Sequence, residues 1–481
     1  MTPVRMLSVF ALGVGASLSF VPAHADEVSD LKAMVKELRS QVVEERSQIK
    51  ELKAQINDLC AQVNDQKTQV SAQGARVQTQ DSVLQKVEAQ QQVLEQKQAA
   101  APVVAADTSK PGYFAIPGTN TSLKIGGYVK LDIVDDVSSN IGTSAFTKTA
   151  TDFASIPLDH SQAANRSGQM NFTAQESRLN VNTVTRSEAL GEVKTVIEGD
   201  FYNTGSGNLF RLRHAYASGG GWLAGQTWST FADLESAGTE ILDFNGPVGF
   251  IESRQPQLRY TARSSYGDVA LAVESPSGDI STSTTDYHID KAPDVIVRYT
   301  ADPSWGHVAL AGLGRYLASN SGLPGKPHQD QMVYGVMAGF MLKTFGKDTL
   351  TFQTVEGNGV GRYLSQGQGI SAVLVNNTIK PINVWGGTIG YTHFWTDALR
   401  SNVAYGYGHF GTPAGSNLRP LKDMSSVHTN LIWSPWASTD VGLEYIYGHI
   451  ETSTAQTDTA TGTSASQGSA SRVEGSVKYS F

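Results

Sequence analysis

From Leu123 to Phe481 apolar residues return at every second position, in about sixteen segments of roughly nine to thirteen residues each. A period of two places alternate side chains on opposite faces of an extended chain, so these segments read as strands. Residues 472–481 show the pattern most cleanly. Val473, Gly475, Val477, Tyr479 and Phe481 share one face, and Arg472, Glu474, Ser476, Lys478 and Ser480 share the other. No run of eighteen apolar residues occurs past residue 25, which excludes a membrane-spanning helix there. Hydrophobic residues make up 40% of the chain and charged residues 17%, with 47 glycines and 17 prolines. That mixture suits strands whose apolar face meets lipid while their polar face meets water. The expected fold is therefore an all-β transmembrane barrel of sixteen antiparallel strands, residues 123–481, preceded by a helical coiled coil.

The connections carry this reading further. Short ones fall at 186–190, 218–220, 264–266, 301–304, 344–346, 396–398 and 434–437. Long ones fall at 136–174, 229–254, 276–291, 317–331, 357–382, 411–423 and 451–470, and 203–207 is a short exception among them. Short turns on one rim and long loops on the other are the rule for bacterial outer-membrane barrels, with both chain ends on the short-turn side. Tyr266, Trp305, Trp395, Trp433 and Trp436 sit near strand ends, as an interfacial aromatic girdle requires. A terminal aromatic strand also resembles the signal read by the barrel assembly machinery.

Residues 1–25 read as a cleaved secretory signal. Arg5 supplies its charge, 6–20 its apolar stretch, and Ala23-His24-Ala25 its small-residue cleavage site. In 26–98 a heptad takes over. Val35, Val42, Ile49, Ile56, Val63, Val70, Val77 and Leu84 occupy position a; Leu31, Leu38, Leu52 and Leu59 occupy d. Such a repeat predicts a left-handed coiled coil. Polar Glu45, Gln66, Gln73 and Gln80 break the d positions; β-branched a with Leu d favours two strands, whereas the buried Gln layers and the barrel that follows favour three, so a trimer is put ahead although the coil does not settle the number. With chain ends at the inner rim, the coil is expected in the periplasm, within reach of peptidoglycan. Residues 99–122 form a linker, with Pro102 ending the helix. Cys60 has no internal partner and is read as incidental.

Alternation also assigns the lumen. In the first strand Ile125, Val129, Leu131 and Ile133 face lipid, leaving Lys130 and Asp132 inside. The same count turns Arg178, Arg211, Arg213, Arg259, Arg263 and Arg298 inward and sends Phe210, Leu212 and Tyr216 outward. An arginine on the lipid side would cost about 2–4 kcal/mol at mid-depth. A lumen lined by guanidinium groups attracts anions and holds carboxylates through paired hydrogen bonds. Loop 229–254, with its Gly246-Pro247 turn, is expected to fold inward as a constriction. Its acids Asp233, Glu235, Glu240 and Asp243 would then face the arginine wall across the pore.

The opening strand Leu123-Lys124-Ile125-Gly126-Gly127-Tyr128-Val129-Lys130-Leu131-Asp132, the segment Phe210-Arg211-Leu212-Arg213-His214-Ala215-Tyr216, the following Gly225-Gln226-Thr227-Trp228-Ser229-Thr230-Phe231 and the terminal Phe resemble the DcaP-like outer-membrane porins. The resemblance spans nearly the whole mature chain. It implies a homotrimer of sixteen-stranded barrels in lipid and lipopolysaccharide that takes up small anions, dicarboxylates especially.

Other classes fit less well. A net charge of −8 argues against nucleic acid. There is no Gly-x-Ser-x-Gly elbow, His-Glu-x-x-His or phosphate loop, so no catalytic site, metal site or cofactor is expected. His393, His409, His428 and His449 lie on adjacent strands and read as ordinary wall residues. A phosphate or polyphosphate porin would need a denser basic ladder than one interrupted by Glu192, Glu198 and Asp200. An envelope tether or adhesin would not need arginines on so many luminal faces.

Overall fold

The computed structural model describes residues 27–99, 110–141, 144, 146–202, 208–281, 287–320, 328–367, 369–416 and 419–481. The expected signal 1–25, linker residues 100–109 and the loop 203–207 lie outside these. The chain forms two units, Met1–Pro102 and Val103–Phe481. In the first, a single helix α1, Glu27–Ala99, runs 73 residues. At 1.5 Å per residue it is roughly 110 Å long. Ile49, Leu52, Ile56, Leu59, Val63, Val70 and Val77, its a and d residues, are all exposed in the single chain. No described helix is long and apolar enough to cross a membrane.

The second unit is built from sixteen wall strands among the described residues. They are β1 Thr121–Asp136, β2 in two pieces, Gln169–Thr173 and Arg178–Ser187, β3 Gly191–Asp200 and β4 Arg211–Gly219. Then come β5 Trp222–Trp228, β6 Arg254–Ser264, β7 Gly267–Glu274 and β8 Asp294–Ala301. Next are β9 Gly306–Asn320, β10 Gln329–Lys343, β11 Thr349–Asn358 and β12 Asn383–Phe394. The last four are β13 Leu399–Phe410, β14 Leu421–Trp436, β15 Thr439–Thr457 and β16 Ser464–Ser480. Each pairs antiparallel with its neighbours in sequence, and β16 pairs with β1 from Tyr128↔Ser480 to Asp136↔Arg472. The cylinder is thus closed, which leaves no unpaired strand edge in the bilayer. A two-residue strand, Phe114–Ala115, already pairs with β1 inside the stretch expected as linker.

Period two holds where lipid enforces it. Ile125, Val129, Leu131 and Ile133 are exposed on the outside of β1, and Lys130 and Asp132 are buried inside. Tyr266, Trp305, Trp395, Trp433 and Trp436 are exposed beside the short turns. Two expectations fail, each for a local reason. Between β3 and β4 the register shifts, with Glu198 opposite His214 but Gly199 opposite Leu212. This bulge at Arg213 flips the faces beyond it, so Tyr216 turns to the lumen rather than to lipid. The loop expected at 451–470 is mostly strand, because β15 and β16 continue as a tall hairpin to Thr457↔Ser464. Its Ser/Thr-rich sequence has no apolar face, since this part of the hairpin has no lipid to meet.

The interior holds a second, dry core. Three long loops fold into it: L1 (137–168), L3 (229–253) and L6 (359–382). Phe153 and Ile156 of L1, Phe231, Val248 and Ile251 of L3, and Val360 and Tyr363 of L6 are fully buried. They pack on Ile296, Leu313, Met337, Val355, Val384, Phe410, Met424, Ile446 and Ile450, which come from β8 to β15. Glycines make room where the loops touch the wall. A Cβ on Gly406 would stand 2.2 Å from the Val248 carbonyl oxygen, and one on Gly448 2.3 Å from the Phe153 ring.

Ion pairs pin these loops. The fully buried Arg472 of β16 donates from Nε to Asp136 at the end of β1, 2.8 Å away, and also to Thr151 Oγ1 and the Thr147 carbonyl in L1. Removing one partner strands the other charge without water, a loss of about 3–5 kcal/mol. Arg472→Ala should therefore lower thermal stability in detergent sharply, and adding Asp136→Ala should restore part of the loss in a double-mutant cycle. At the hairpin tip Asp458 accepts the backbone N–H of Gln162 in L1 (2.6 Å), then those of Ala460 and Thr461. These bonds hold its carboxyl below the usual aspartate range. The L1 clasp should be intact at neutral pH and loosen only as pH falls below that range, which hydrogen exchange in 158–166 would record.

Candidate functional site

The arginines expected in the lumen fall on one side of the barrel. Arg178 lies on β2, Arg211 and Arg213 on β4, Arg259 and Arg263 on β6 and Arg298 on β8. The apolar loop core takes its wall residues from β8 onward, so the lumen has a plugged half and a charged half.

Not all of these cations are available to a solute. Lys130 is buried; it donates to Glu176 (2.5 Å) and to the Leu242 carbonyl of L3 (2.7 Å), with Asp132 3.3 Å away. It is an anchor for L3, not an open binding group. Arg211 makes a two-pronged pair with Asp200 (2.9 and 2.7 Å). Arg213 divides its bonds between Glu198 (2.9 Å) and Asp200 (3.1 Å). Among the described residues Arg178 has only Glu176 as an ion-pair partner, at 4.0 Å, and it lies over the Tyr128 ring. Arg259 and Arg298 have no carboxylate within ion-pair distance among the described residues, although Arg298 donates to the Ala232 carbonyl (2.5 Å). Arg263 is largely exposed, 3.7 Å from Asp268. Arg259 and Arg263 line a cavity of about 440 Å³ with Lys194, Tyr216, Ser218 and Thr261.

Arg254 is a luminal cation that alternation misses. It lies 4.3 Å over the Trp228 ring and 3.4 Å from Glu252. Arg178, Arg211 and Arg213 also act electrostatically on that glutamate. Alternation cannot find Arg254, because it opens β6 at the junction with L3, where the two-residue period has not begun.

L3 crosses the interior, but its acids do not stand in a row before the arginines. Asp233 lies 3.2 Å from His307 Nε2, and Glu235 lies 3.5 Å from His307 Nδ1. Glu240 reaches the opposite wall and takes two bonds from Arg400 of β13 (2.6 and 2.7 Å). Asp243 accepts the backbone N–H groups of Thr151, Asn245 and Gly246, tying L3 to L1. Of the four acids, Asp233 still acts electrostatically on Arg298 of the arginine wall, whereas Glu240 and Asp243 are held by partners elsewhere. Further bonds hold the loop: Val248 N–H donates to Ser426 Oγ (3.0 Å), and Ile251 N–H to Gln353 Oε1 (2.8 Å).

Other luminal polar groups are structural. Arg315 of β9 pairs with Asp279 (2.7 Å) and Asp294 (3.0 Å), and Asp294 also accepts the Tyr363 hydroxyl of L6. Each histidine of β12 to β15 has a partner of its own: His393 with Asp348, His409 with Asp423, His428 with Glu444 and His449 with Ser469.

A sealed antiparallel cylinder, apolar outside and charged inside, with loops folded into its bore, is the architecture of an outer-membrane porin. The chain belongs to the DcaP outer membrane protein family, whose model matches residues 53–462. Among solved structures it is similar to the outer membrane channel DcaP of Acinetobacter baumannii, with a TM-score of 0.63 and 22% identity over 75% of this chain and 98% of that one. Among curated relatives, porin Omp2b of Brucella abortus (strain 2308) is 27% identical over 237 residues, covering 45% of this chain. Porin Omp2b of Brucella suis biovar 1 (strain 1330) matches to the same extent. The chain spans 58% of the length of these curated relatives.

The seating of L3 on glycine is directly testable. Gly406→Val would drive a side chain into the Val248 carbonyl, so L3 should lift from β13. The expected outcome is a larger single-channel conductance in planar bilayers, with the barrel still folded by its heat-shifted gel mobility.

Proposed function

We infer that this porin is a passive channel for small anionic solutes, dicarboxylates foremost, along the β2–β8 side of its lumen. The observation that carries the reading is the separation of paired from unpaired cations. Arg211 and Arg213 are neutralised by Asp200 and Glu198, whereas among the described residues Arg259 and Arg298 have no carboxylate within ion-pair distance and feel Glu274 and Asp233 only from further off. A solute carboxylate can pair with guanidinium groups that lack a close carboxylate and leave again, as conduction requires. Arg259, Arg263 and Lys194 collect anions at the short-turn mouth, and the backbone of L3 narrows the path above them. Arg211, Arg213 and Arg178 set the background potential rather than the contact.

The same reading places the short turns and α1 in the periplasm and the barrel in lipid and lipopolysaccharide. The exposed a and d stripe of α1 supports a coiled coil between copies, with a homotrimer as the assembly and peptidoglycan within its reach. No catalytic step is assigned to any residue.

Reversal potentials in a KCl gradient and liposome swelling test the channel reading. Wild type should pass anions in preference to cations, and succinate faster than a neutral sugar of its size. Arg259→Glu with Arg298→Glu should abolish both preferences, while Arg211→Glu should change them less. Cation-selective current in the wild type, or equal loss of succinate and sugar flux in the double variant, would remove the proposed role.

A further inference from the structure

We propose that His307, Asp302 and Glu235 form a binding site for a zinc-class divalent metal ion at the foot of the constriction loop. The three come from separate elements. Asp302 lies in the turn between β8 and β9, His307 is the second residue of β9, and Glu235 belongs to L3. One donor atom from each lies within 4.8 Å of the other two. His307 Nδ1 is 2.6 Å from Asp302 Oδ1 and 3.5 Å from Glu235 Oε2.

The far side of the ring carries the independent observation. Both oxygens of Asp233 lie 3.2 Å from His307 Nε2. That carboxylate accepts the Nε2 proton, while Nδ1 donates to Asp302 across 2.6 Å in the metal-free site; a metal ion would displace the Nδ1 proton to solvent and take that nitrogen with the Asp302 and Glu235 oxygens. Metal-binding histidines are oriented in this way, by a carboxylate on the nitrogen that does not bind. Asp233 is itself fixed, accepting the Ser236 N–H at 3.0 Å.

Charge and mobility agree with this. Three carboxylates surround one imidazole; a protonated ring would offset one and Arg298, which acts on Asp233, a second, which leaves one negative charge without a partner. Asp302 and Glu235 have no other ion-pair partner among the described residues. Their side chains are 74% and 53% exposed, so they can open to the spacing that donors about 2.0–2.2 Å from a metal require. One imidazole nitrogen with two carboxylate oxygens is a donor set for zinc and its neighbours rather than for calcium or magnesium, which take oxygen alone. Water completes the coordination on the open side. The bound ion would fasten L3 to the short-turn rim beside Arg298, which already holds the adjacent Ala232 carbonyl.

The test uses the full chain in detergent, freed of any affinity tag, with zinc chloride and calcium chloride as probes in equilibrium dialysis at neutral pH. Wild type should retain one zinc ion per chain and no calcium. Glu235→Gln and Asp302→Asn, both at exposed positions, should each weaken binding at least tenfold, and His307→Gln should abolish it. Asp233→Asn should weaken binding by about 10–100-fold without changing the stoichiometry. With cobalt in place of zinc, the visible absorption bands should shift in Glu235→Gln if that carboxylate is a direct ligand. The proposal falls if wild type retains no zinc, as expected if a proton alone bridges these groups. It falls equally if Glu235→Gln and Asp302→Asn bind as wild type does.

Discussion

A strand edge cannot be left open in hydrocarbon, because each unpaired N–H or C=O there costs several kcal/mol. The pairing of β16 with β1 is therefore the contact on which the rest of the barrel depends. It fixes which side of each strand meets lipid, and so turns a weakly hydrophobic sequence into a tube with a wet bore. Asp136 and Arg472 sit opposite each other at the long-loop end of this junction and are both fully buried. The hydrogen-bonded wall and the folded-in loops thus meet at one ion pair.

Closing the wall does not by itself make a narrow channel. The loops do that, and they do so unevenly. Phe153, Phe231 and Tyr363 dry out the side of the bore facing β8 to β15. Their anchors use up Arg315, Arg400 and Arg472, each held by its own carboxylates. The other side keeps Arg259 and Arg298, which among the described residues have no carboxylate within ion-pair distance. The bore thus has packed apolar protein on one side and guanidinium groups on the other.

The fold was legible wherever lipid imposes alternation. Ile125, Val129, Leu131 and Ile133 alternate because their neighbours cannot face acyl chains. The sixteen strands and the position of nearly every short turn follow from that constraint alone. Above the membrane the constraint lapses, so the Ser/Thr hairpin beyond Glu451 left no trace in apolar spacing. Tyr216 was misplaced because one extra residue at Arg213 reverses the count, and a bulge has no signature in a period-two pattern. The inward course of L3 was readable from its Gly246-Pro247 turn and apolar content. The partners of its acids were not, since Arg400 and His307 are distant in sequence. L1 and L6 carried a comparable clue in Phe153, Ile156 and Tyr363, large apolar residues that a loop bathed in water has no reason to hold. For the site, charge could be located but pairing could not: alternation finds Arg211 as readily as Arg259, and only coordinates reveal that Asp200 has already claimed the first.

The anchoring of L1 also bears on the order of biosynthesis. L1 emerges directly after the first strand, yet the guanidinium that holds it belongs to the last, and the Gly448 against which Phe153 rests is made only shortly before. Asp243 and Gln366 hold L1 from neighbouring loops, but its seat is complete only when the final hairpin is in place. The last step of closing the wall is thus also the step that finishes fastening the first loop inside it.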